Sequence, residues 1–401
     1  MVRTFLSLAT AAAFVAGGTP LPAQDGEPLP IGALMPMTGD LQAYGETSLN
    51  GAELAALQIN EQGGVLGRPL EVVIGDTQTR PQAGIDAAQR LVNIQGVFGT
   101  VGALSSGVSI PVALSVSGPN GVPQVSPAST SPVITTLEDE DFMFRSVPSD
   151  AYQGVALATM VEEGGIDSVS ILYVNNDYGE GLANAFTSNY QGEVMESLAY
   201  EPGNASYRGE LSRAARGNPQ ALLLIGYPEN GVTILRQAIE EGFFRDFVFT
   251  DGLKAPELVE ALGARAVEGA FGSSPQALED SEPAAMFQEA YRAEFGEVPP
   301  KPYIDTAYDG VYLLALAAEA AGSTDPVAVR DHLREVADPP GTKIFPGQWT
   351  KAVEVLQDGG DVDYVGASGS VNFDENGDVG GTFAEWAFED GEIVVRRVMA
   401  P

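Results

Sequence analysis

Short β-branched runs recur along this chain at intervals that each leave room for one amphipathic helix, and that rhythm constrains the fold more than anything else in it. Residues 31–34, 70–74, 97–101 and 122–125 have the length and composition of strands. Between them, residues 46–61 read as a helix, with Leu49, Glu53, Ala56, Leu57 and Asn60 marking its turns, and so do residues 81–94. A second series comes later, with strands at 169–174, 221–225 and 247–250 and helices at 178–190, 206–216 and 230–241. Parallel strands need a crossover of a dozen or more residues, usually a helix, so each series predicts a parallel sheet covered on both faces. The chain therefore builds two α/β units, as its 401 residues allow.

Between the two series lie residues 142–150, where Arg145-Ser146-Val147-Pro148 predicts an extended crossover because Pro148 keeps Val147 out of the helical region. A second crossover is expected at residues 272–275. The helix predicted for 304–321, after a proline cluster at 299–302, would then rejoin the first unit. Residues 370–398 read as strands with turns at Asn376-Gly377 and Asp390-Gly391. Asp374-Glu375-Asn376-Gly377-Asp378 resembles a calcium loop only superficially: its glycine stands fourth instead of sixth and no glutamate stands twelfth, so a plain turn is expected.

Composition removes several functions. The chain has no cysteine, which excludes disulfides, thiolate metal sites, cysteine nucleophiles and a lipidated N-terminal cysteine. Its single histidine, His332, falls in an expected surface helix at 326–336 and reads as a solvated helix residue. Without a cysteine, a well-placed histidine or a metal-ligand cluster, nucleophilic and metal catalysis lack their parts, so no enzyme, cofactor or metal is expected. The formal net charge is −35, with Lys254, Lys301, Lys343 and Lys351 the only lysines. Such a field repels nucleic acid and anionic lipid. Residues 1–23 read as a secretory signal: Arg3, an apolar stretch from Phe5 to Ala16, then Pro20 and Ala23 at a cleavage site. That apolar stretch is shorter than the roughly 20 residues of a spanning helix.

Ligands of open parallel sheets bind outside the carboxyl ends of the strands. After the third strand comes Gly102-Ala103-Leu104-Ser105-Ser106-Gly107, and after the fourth Ser126-Pro127-Ala128-Ser129-Thr130-Ser131-Pro132. Both loops offer hydroxyls and free backbone N–H groups near a helix start, which suits an anion, and neither has the lysine of a phosphate loop. The strand ends of the second series carry Tyr178, Tyr227 and Asp251 instead, with Asp251 the one anionic side chain expected at the cleft. A hydroxyl-rich site facing an acidic and aromatic one answers the needs of a zwitterion, whose two charges must both find partners when buried.

The sequence resembles the periplasmic leucine/isoleucine/valine-binding proteins of ABC transporters, over nearly the whole chain beyond residue 23. The resemblance is carried by Met37-Thr38-Gly39 with Tyr44-Gly45, by Gly51-Ala52-Glu53-Leu54-Ala55, by the run Asn60 to Leu70 with its specific Gly-Gly-Val-Leu-Gly-Arg-Pro-Leu, and by Ser126-Pro127-Ala128, Asp177-Tyr178-Gly179-Glu180-Gly181 and Phe373-Asp374-Glu375-Asn376-Gly377-Asp378. It implies the type I periplasmic binding fold: two Rossmann-like lobes with parallel sheets flanked by helices, joined by three crossovers. Lobe 1 would comprise 24–146 plus 275–378, and lobe 2 147–274 plus 379–401. It also implies a periplasmic, monomeric protein that closes on an amino acid with an apolar side chain and hands it to membrane permease subunits.

By the same resemblance, Ser106 and the hydroxyl and amide of Thr130 would hold the ligand carboxylate, beside Ser105 and Ser129. The Ala128 carbonyl, Thr130 and Asp251 would hold the ammonium, and Tyr44, Leu104, Tyr178 and Tyr227 would line the side-chain pocket. The family's frequent disulfide is absent, its places taken by Thr79 and Ser105, and its frequent glutamate at the ammonium is the shorter Asp251. Other members of the broad family take amides, urea or aromatic acids, and the same fold can present a ligand to a receptor as a sensor.

Overall fold

A computed structural model describes residues 26–278 and 281–401. The expected signal, residues 1–23, lies outside the described residues.

The first sheet is wholly parallel and contains β1 (Leu29–Met35), β2 (Leu70–Asp76), β3 (Thr100–Gly102), β4 (Gln124–Ser126) and β5 (Met143–Arg145), in the order β2-β1-β3-β4-β5. The second contains β6 (Ser168–Val174), β7 (Glu193–Tyr200), β8 (Ala221–Ile225), β9 (Phe247–Phe249) and β10 (Phe271–Pro275). A small third sheet follows, with β11 (Thr342–Ile344), β12 (Val362–Gly366) and β13 (Gly369–Ser370). The chain then returns to the second sheet as β14 (Phe383–Glu389) and β15 (Glu392–Met399), completing the order β15-β14-β10-β9-β8-β6-β7. Only β14 runs against the others, so its pairings with β10 and β15 are the antiparallel ones. Central strands are apolar throughout, as in Ala221-Leu-Leu-Leu-Ile225, because helices cover both faces. The edge strand β7 carries an exposed Glu193 and a half-buried Glu196, which hides it from a search for apolar runs.

The helix expected at 46–61 spans Gln42–Glu61 and packs along Ile304–Ala321, the helix that brings the chain back to the first lobe. Contact is so close that a β-carbon on Gly51 would lie 2.0 Å from the Ile304 carbonyl oxygen, so no larger residue fits there. From Ile304 to Ala318 this helix is buried almost all round, as its run of alanine and leucine permits. Asp309 is the exception within it. The hydroxyls of Tyr364 and Ser368 and the amides of Ala367 and Ser368 all donate to its carboxylate, which burial nevertheless raises to about 6. Those bonds fasten the turn between β12 and β13 to the core.

Three passages join the lobes. The first follows β5, over residues 146–149, and the third occupies residues 371–382. The second was expected at 272–275, but those residues form β10, paired with β9 on one side and β14 on the other. Gly272-Ser-Ser-Pro275 lacks the β-branched residues of a strand, and burial between two neighbours decides its conformation instead. The passage therefore begins after Pro275 and ends at the helix Glu282–Phe295. The passages are bonded side by side: the Arg145 amide donates to Gly377 (3.0 Å), and Gln276 and Thr382 exchange bonds of 3.0 and 2.6 Å. His332 sits in the helix Pro326–Ala337, with Nδ1 2.8 Å from the Ala328 carbonyl and Nε2 3.6 Å from Glu335 of the same helix.

Candidate functional site

The carboxyl ends of the two parallel sheets face each other, and every residue singled out from the sequence lies buried where they meet. From lobe 1, the turn after β3 carries Leu104, Ser105 and Ser106. It begins at Gly102, whose φ of +124° and whose closeness to Leu34, with a β-carbon placed 2.2 Å from the carbonyl oxygen, both require glycine. The turn after β4 carries Ala128, Ser129 and Thr130. Tyr44 comes from the first turn of Gln42–Glu61. From lobe 2, Tyr178 stands in the first turn of Asp177–Asn189, Tyr227 precedes Pro228–Glu240, and Asp251 follows β9.

The two sides touch directly. Tyr44 donates its hydroxyl to the Gly252 carbonyl at 3.0 Å, and the Ser105 and Tyr227 hydroxyls are 3.1 Å apart. Tyr227 also accepts from Asn176 Nδ2 at 3.0 Å, and its ring stacks on Tyr178 with centroids 5.7 Å apart. Ser106 and Ser129 are turned inward. Ser106 Oγ accepts from the Ser131 amide at 3.2 Å, while Ser129 Oγ lies 2.7 Å from Ser109 and within reach of the Ala103 and Leu104 carbonyls. Ser129 therefore braces the loop from behind.

Asp251 gathers a network. Its Oδ1 accepts from Gln153 Nε2 at 2.7 Å and from the Tyr178 hydroxyl at 2.9 Å, and its Oδ2 accepts from the Tyr303 hydroxyl. Burial pushes its carboxyl up, and the bonds from Tyr303, Gln153 and Tyr178 pull it back. The sequence reading missed Tyr303. It follows the proline cluster and caps the helix Ile304–Ala321 at φ +76°, a left-handed conformation uncommon for a non-glycine residue. Strained backbone of this kind collects at functional sites and leaves no mark in composition.

Asp251 is not the only carboxylate at the cleft, contrary to expectation. Asp150, the first residue of the helix Asp150–Glu163, is fully buried beside Thr130, whose hydroxyl donates to its Oδ2 at 2.9 Å and whose carbonyl accepts its amide at 2.8 Å. Burial and then the charge of Asp251 push the Asp150 carboxyl up, against the Thr130 bond and Arg145. A Ser149-Asp150 pair after a proline reads as an ordinary helix start, so nothing in the sequence flagged it. Thr130 has one hydroxyl proton, and Asp150 takes it. Among the described residues, no group of three or more His, Cys, Asp or Glu is placed to hold a metal. The Asp374–Asp378 segment is a turn in which Asp374 accepts from the amides of Asn376 and Asp378.

The sequence pattern that defines the periplasmic binding proteins matches residues 28–352 of this chain. The chain belongs to that family. Its members are solute-binding proteins of the extracytoplasmic space. A Leu/Ile/Val-binding protein homolog of Brucella abortus is 31% identical over 313 residues, spanning 76% of this chain and 82% of that protein. A substrate-binding protein of a chemotactic signal transduction system in Halobacterium salinarum is 26% identical over 355 residues, 86% of this chain and 84% of its own length. Among solved structures, a leucine-binding protein from Thermotoga maritima superposes with a TM-score of 0.79 at 28% identity, covering 93% of this chain and 99% of that one. The two-lobed architecture with three crossovers is thus the type I periplasmic binding fold. Among the described residues, no helix of this family member is long and apolar enough to cross a membrane.

Proposed function

We propose that this periplasmic binding protein is exported through the signal at residues 1–23, closes on an apolar amino acid, and delivers it to permease subunits of an ABC transporter. The observation that carries the proposal is the chemistry of the buried seam. Lobe 1 offers Ser106, Thr130 and loop amides, lobe 2 offers Asp251, and the rings of Tyr44, Tyr178 and Tyr227 lie between. On this reading the Thr130 amide and Ser106 meet the ligand carboxylate, and the Ala128 carbonyl and Asp251 meet its ammonium. Tyr44, Tyr178, Tyr227 and Leu104 surround its side chain, and Ser105 and Ser129 hold the loop in shape. Burying a leucine-sized side chain among those rings contributes about 1.5–3 kcal/mol. Because both charges are lost to water on closure, discrimination rests on the polar partners at each end. On this reading the site binds its ligand and does not transform it, in keeping with a family of solute-binding proteins.

The first measurement is thermal unfolding with leucine, isoleucine, valine, a short amide and an aromatic acid. A branched-chain amino acid at a hundred times its Kd is expected to add about 2.7 kcal/mol to apparent stability. Stabilisation by the aromatic acid or the amide alone would overturn the amino-acid assignment. A sensor role is the second reading, favoured by the Halobacterium relative. It predicts the same ligand and differs only in whether the closed protein binds a permease or a receptor, which a pull-down with detergent-solubilised candidates decides.

Closure itself has a separate readout. The seam's cross-lobe bonds can form only with the lobes together, so a ligand that bridges them shifts the population toward the closed form. Small-angle scattering is expected to give a smaller radius of gyration at saturation than in ligand-free protein. Equal radii, with cross-links showing an open ligand-free form, would contradict hinge closure.

A further inference from the structure

The two carboxylates of the cleft are not equally free to meet a ligand. Asp251 already accepts three hydrogen bonds from Gln153, Tyr178 and Tyr303. A carboxylate has about four lone-pair positions, so roughly one is left. Asp150 is the reverse. Its Oδ2 accepts from Thr130, but its Oδ1 has no hydrogen-bond partner among the described residues, although the residue is fully buried. One turn further along the same face, Gln153 spends its Nε2 on Asp251 and Ser273, and its Oε1 also has no partner. Exchanging oxygen and nitrogen of Gln153 would set two acceptors against each other at 2.7 Å, so the acceptor is the free end. A buried ionised oxygen without a donor is costly, and native proteins rarely leave one.

Among the described residues, no group donates to that oxygen. The charges that act on Asp150 are those of Asp251 and Arg145, and the side chains beside it include Thr130. Thr130 has given its proton to the other oxygen. Arg145 directs its guanidinium to Asp378, the Ser131 carbonyl and Thr135. Tyr178, which also feels the Asp150 charge, directs its hydroxyl to Thr250 and Asp251.

We propose that Asp150 is a direct ligand contact, and that the ligand's cationic group sits between it and Asp251, with Gln153 Oε1 as a further acceptor. This rests on the amino-acid reading and sharpens it. The favoured ligand carries a free primary ammonium, which has three N–H groups to distribute. A nitrogen-free carboxylic acid leaves both carboxylates unanswered and is rejected. Asp150 belongs to the first turn of the lobe 2 helix that follows the first passage.

The test compares leucine, isoamylamine and 4-methylpentanoate on the full mature protein by calorimetry, with wild type and Asp150→Asn. Asparagine keeps an acceptor for Thr130, removes the charge and puts an NH2 donor where the unpartnered oxygen stood. Leucine affinity is expected to fall by about tenfold to a hundredfold, as for a lost hydrogen bond to a charged group. Ligand-free Asp150→Asn is expected to unfold no earlier than wild type, because it relieves repulsion from Asp251. A merely structural role would lower stability and leave the affinity of the folded fraction alone. Should the asparagine variant not fold, Asp150→Ser, which suits a first helical turn, makes the same measurement. Tight leucine binding by wild type that is indifferent to both variants overturns the assignment and leaves the amino-acid reading standing. Binding of 4-methylpentanoate as tightly as leucine, or no binding of leucine at all, overturns both.

Discussion

Asp251→Asn is expected to weaken leucine binding by about a hundredfold or more, since removing one member of a buried charge pair costs roughly 3–5 kcal/mol. The size of the effect follows from what surrounds the residue. Tyr178, Tyr303 and Gln153 all donate to its carboxylate, and Gln153 and Tyr178 approach the same oxygen at 2.7 and 2.9 Å. An asparagine must turn its amide donor toward one of those groups. The substitution thus removes the charge that answers an ammonium and also loosens a tyrosine from each lobe, since Tyr303 caps a lobe 1 helix and Tyr178 opens a lobe 2 helix. A loss under threefold in calorimetry would remove Asp251 from the cation site.

The same residue predicts a pH dependence. Burial raises the Asp251 carboxyl, and burial together with Asp251 raises that of Asp150, while Arg145 and the bonds from Thr130, Tyr178, Tyr303 and Gln153 oppose the rise. An ammonium ligand requires the ionised forms. Affinity for leucine should therefore climb as pH rises through the range in which the ligand-free carboxyls lose their protons, by up to about tenfold per pH unit, and then level off. Proton release on binding, read as a dependence of the calorimetric heat on the buffer's ionisation enthalpy, accompanies the rise. Asp251→Asn should make it shallower, leaving only the Asp150 contribution.

The architecture was legible from periodicity because its central strands and covering helices are built from continuous apolar runs and amphipathic turns. What escaped was whatever tertiary context decides. β7 carries glutamates at an edge, β10 is a Gly-Ser-Ser-Pro segment made into a strand by two neighbours, and β11 and β13 are too short to show a period. The site divides the same way. Loops at strand ends exposed Ser105, Ser106, Thr130, Tyr178, Tyr227 and Asp251, because an open parallel sheet concentrates ligand contacts there. Asp150, Gln153 and Tyr303 reach the seam from a helix face and a helix cap, positions at which Asp, Gln and Tyr are commonplace. Only the three-dimensional meeting of the lobes distinguishes them.

Arg145→Met is expected to be the most destabilising single change outside the ligand contacts. Arg145 is completely buried, and its guanidinium forms a fork on Asp378, with Nε on Oδ1 and Nη2 on Oδ2, each at 2.6 Å. Nη1 donates to the Ser131 carbonyl at 2.9 Å and Nη2 to Thr135 at 2.8 Å, while Thr135 itself donates to Asp378 at 2.6 Å. These bonds tie the end of β5, where the first passage leaves lobe 1, to the third passage and to the loop that follows Thr130. The Asp374–Asp378 turn presents Asp378 to them. Methionine matches the length of the arginine stem but leaves Asp378 buried with one donor, a cost of about 3–5 kcal/mol. Thr130, one residue before Ser131, loses its anchor, so ligand affinity should fall along with stability. Adding Asp378→Leu to Arg145→Met removes the stranded charge and should restore most of the unfolding midpoint, since a well-packed apolar pair often replaces a buried ion pair without loss. It cannot replace the bonds to Ser131 and Thr135, so affinity should stay low in the double variant. Urea denaturation and calorimetry on the two variants separate these contributions. A single variant within about 1 kcal/mol of wild type would mean that the passages do not depend on Arg145, and a double variant that recovered binding in full would mean that the ligand loop does not.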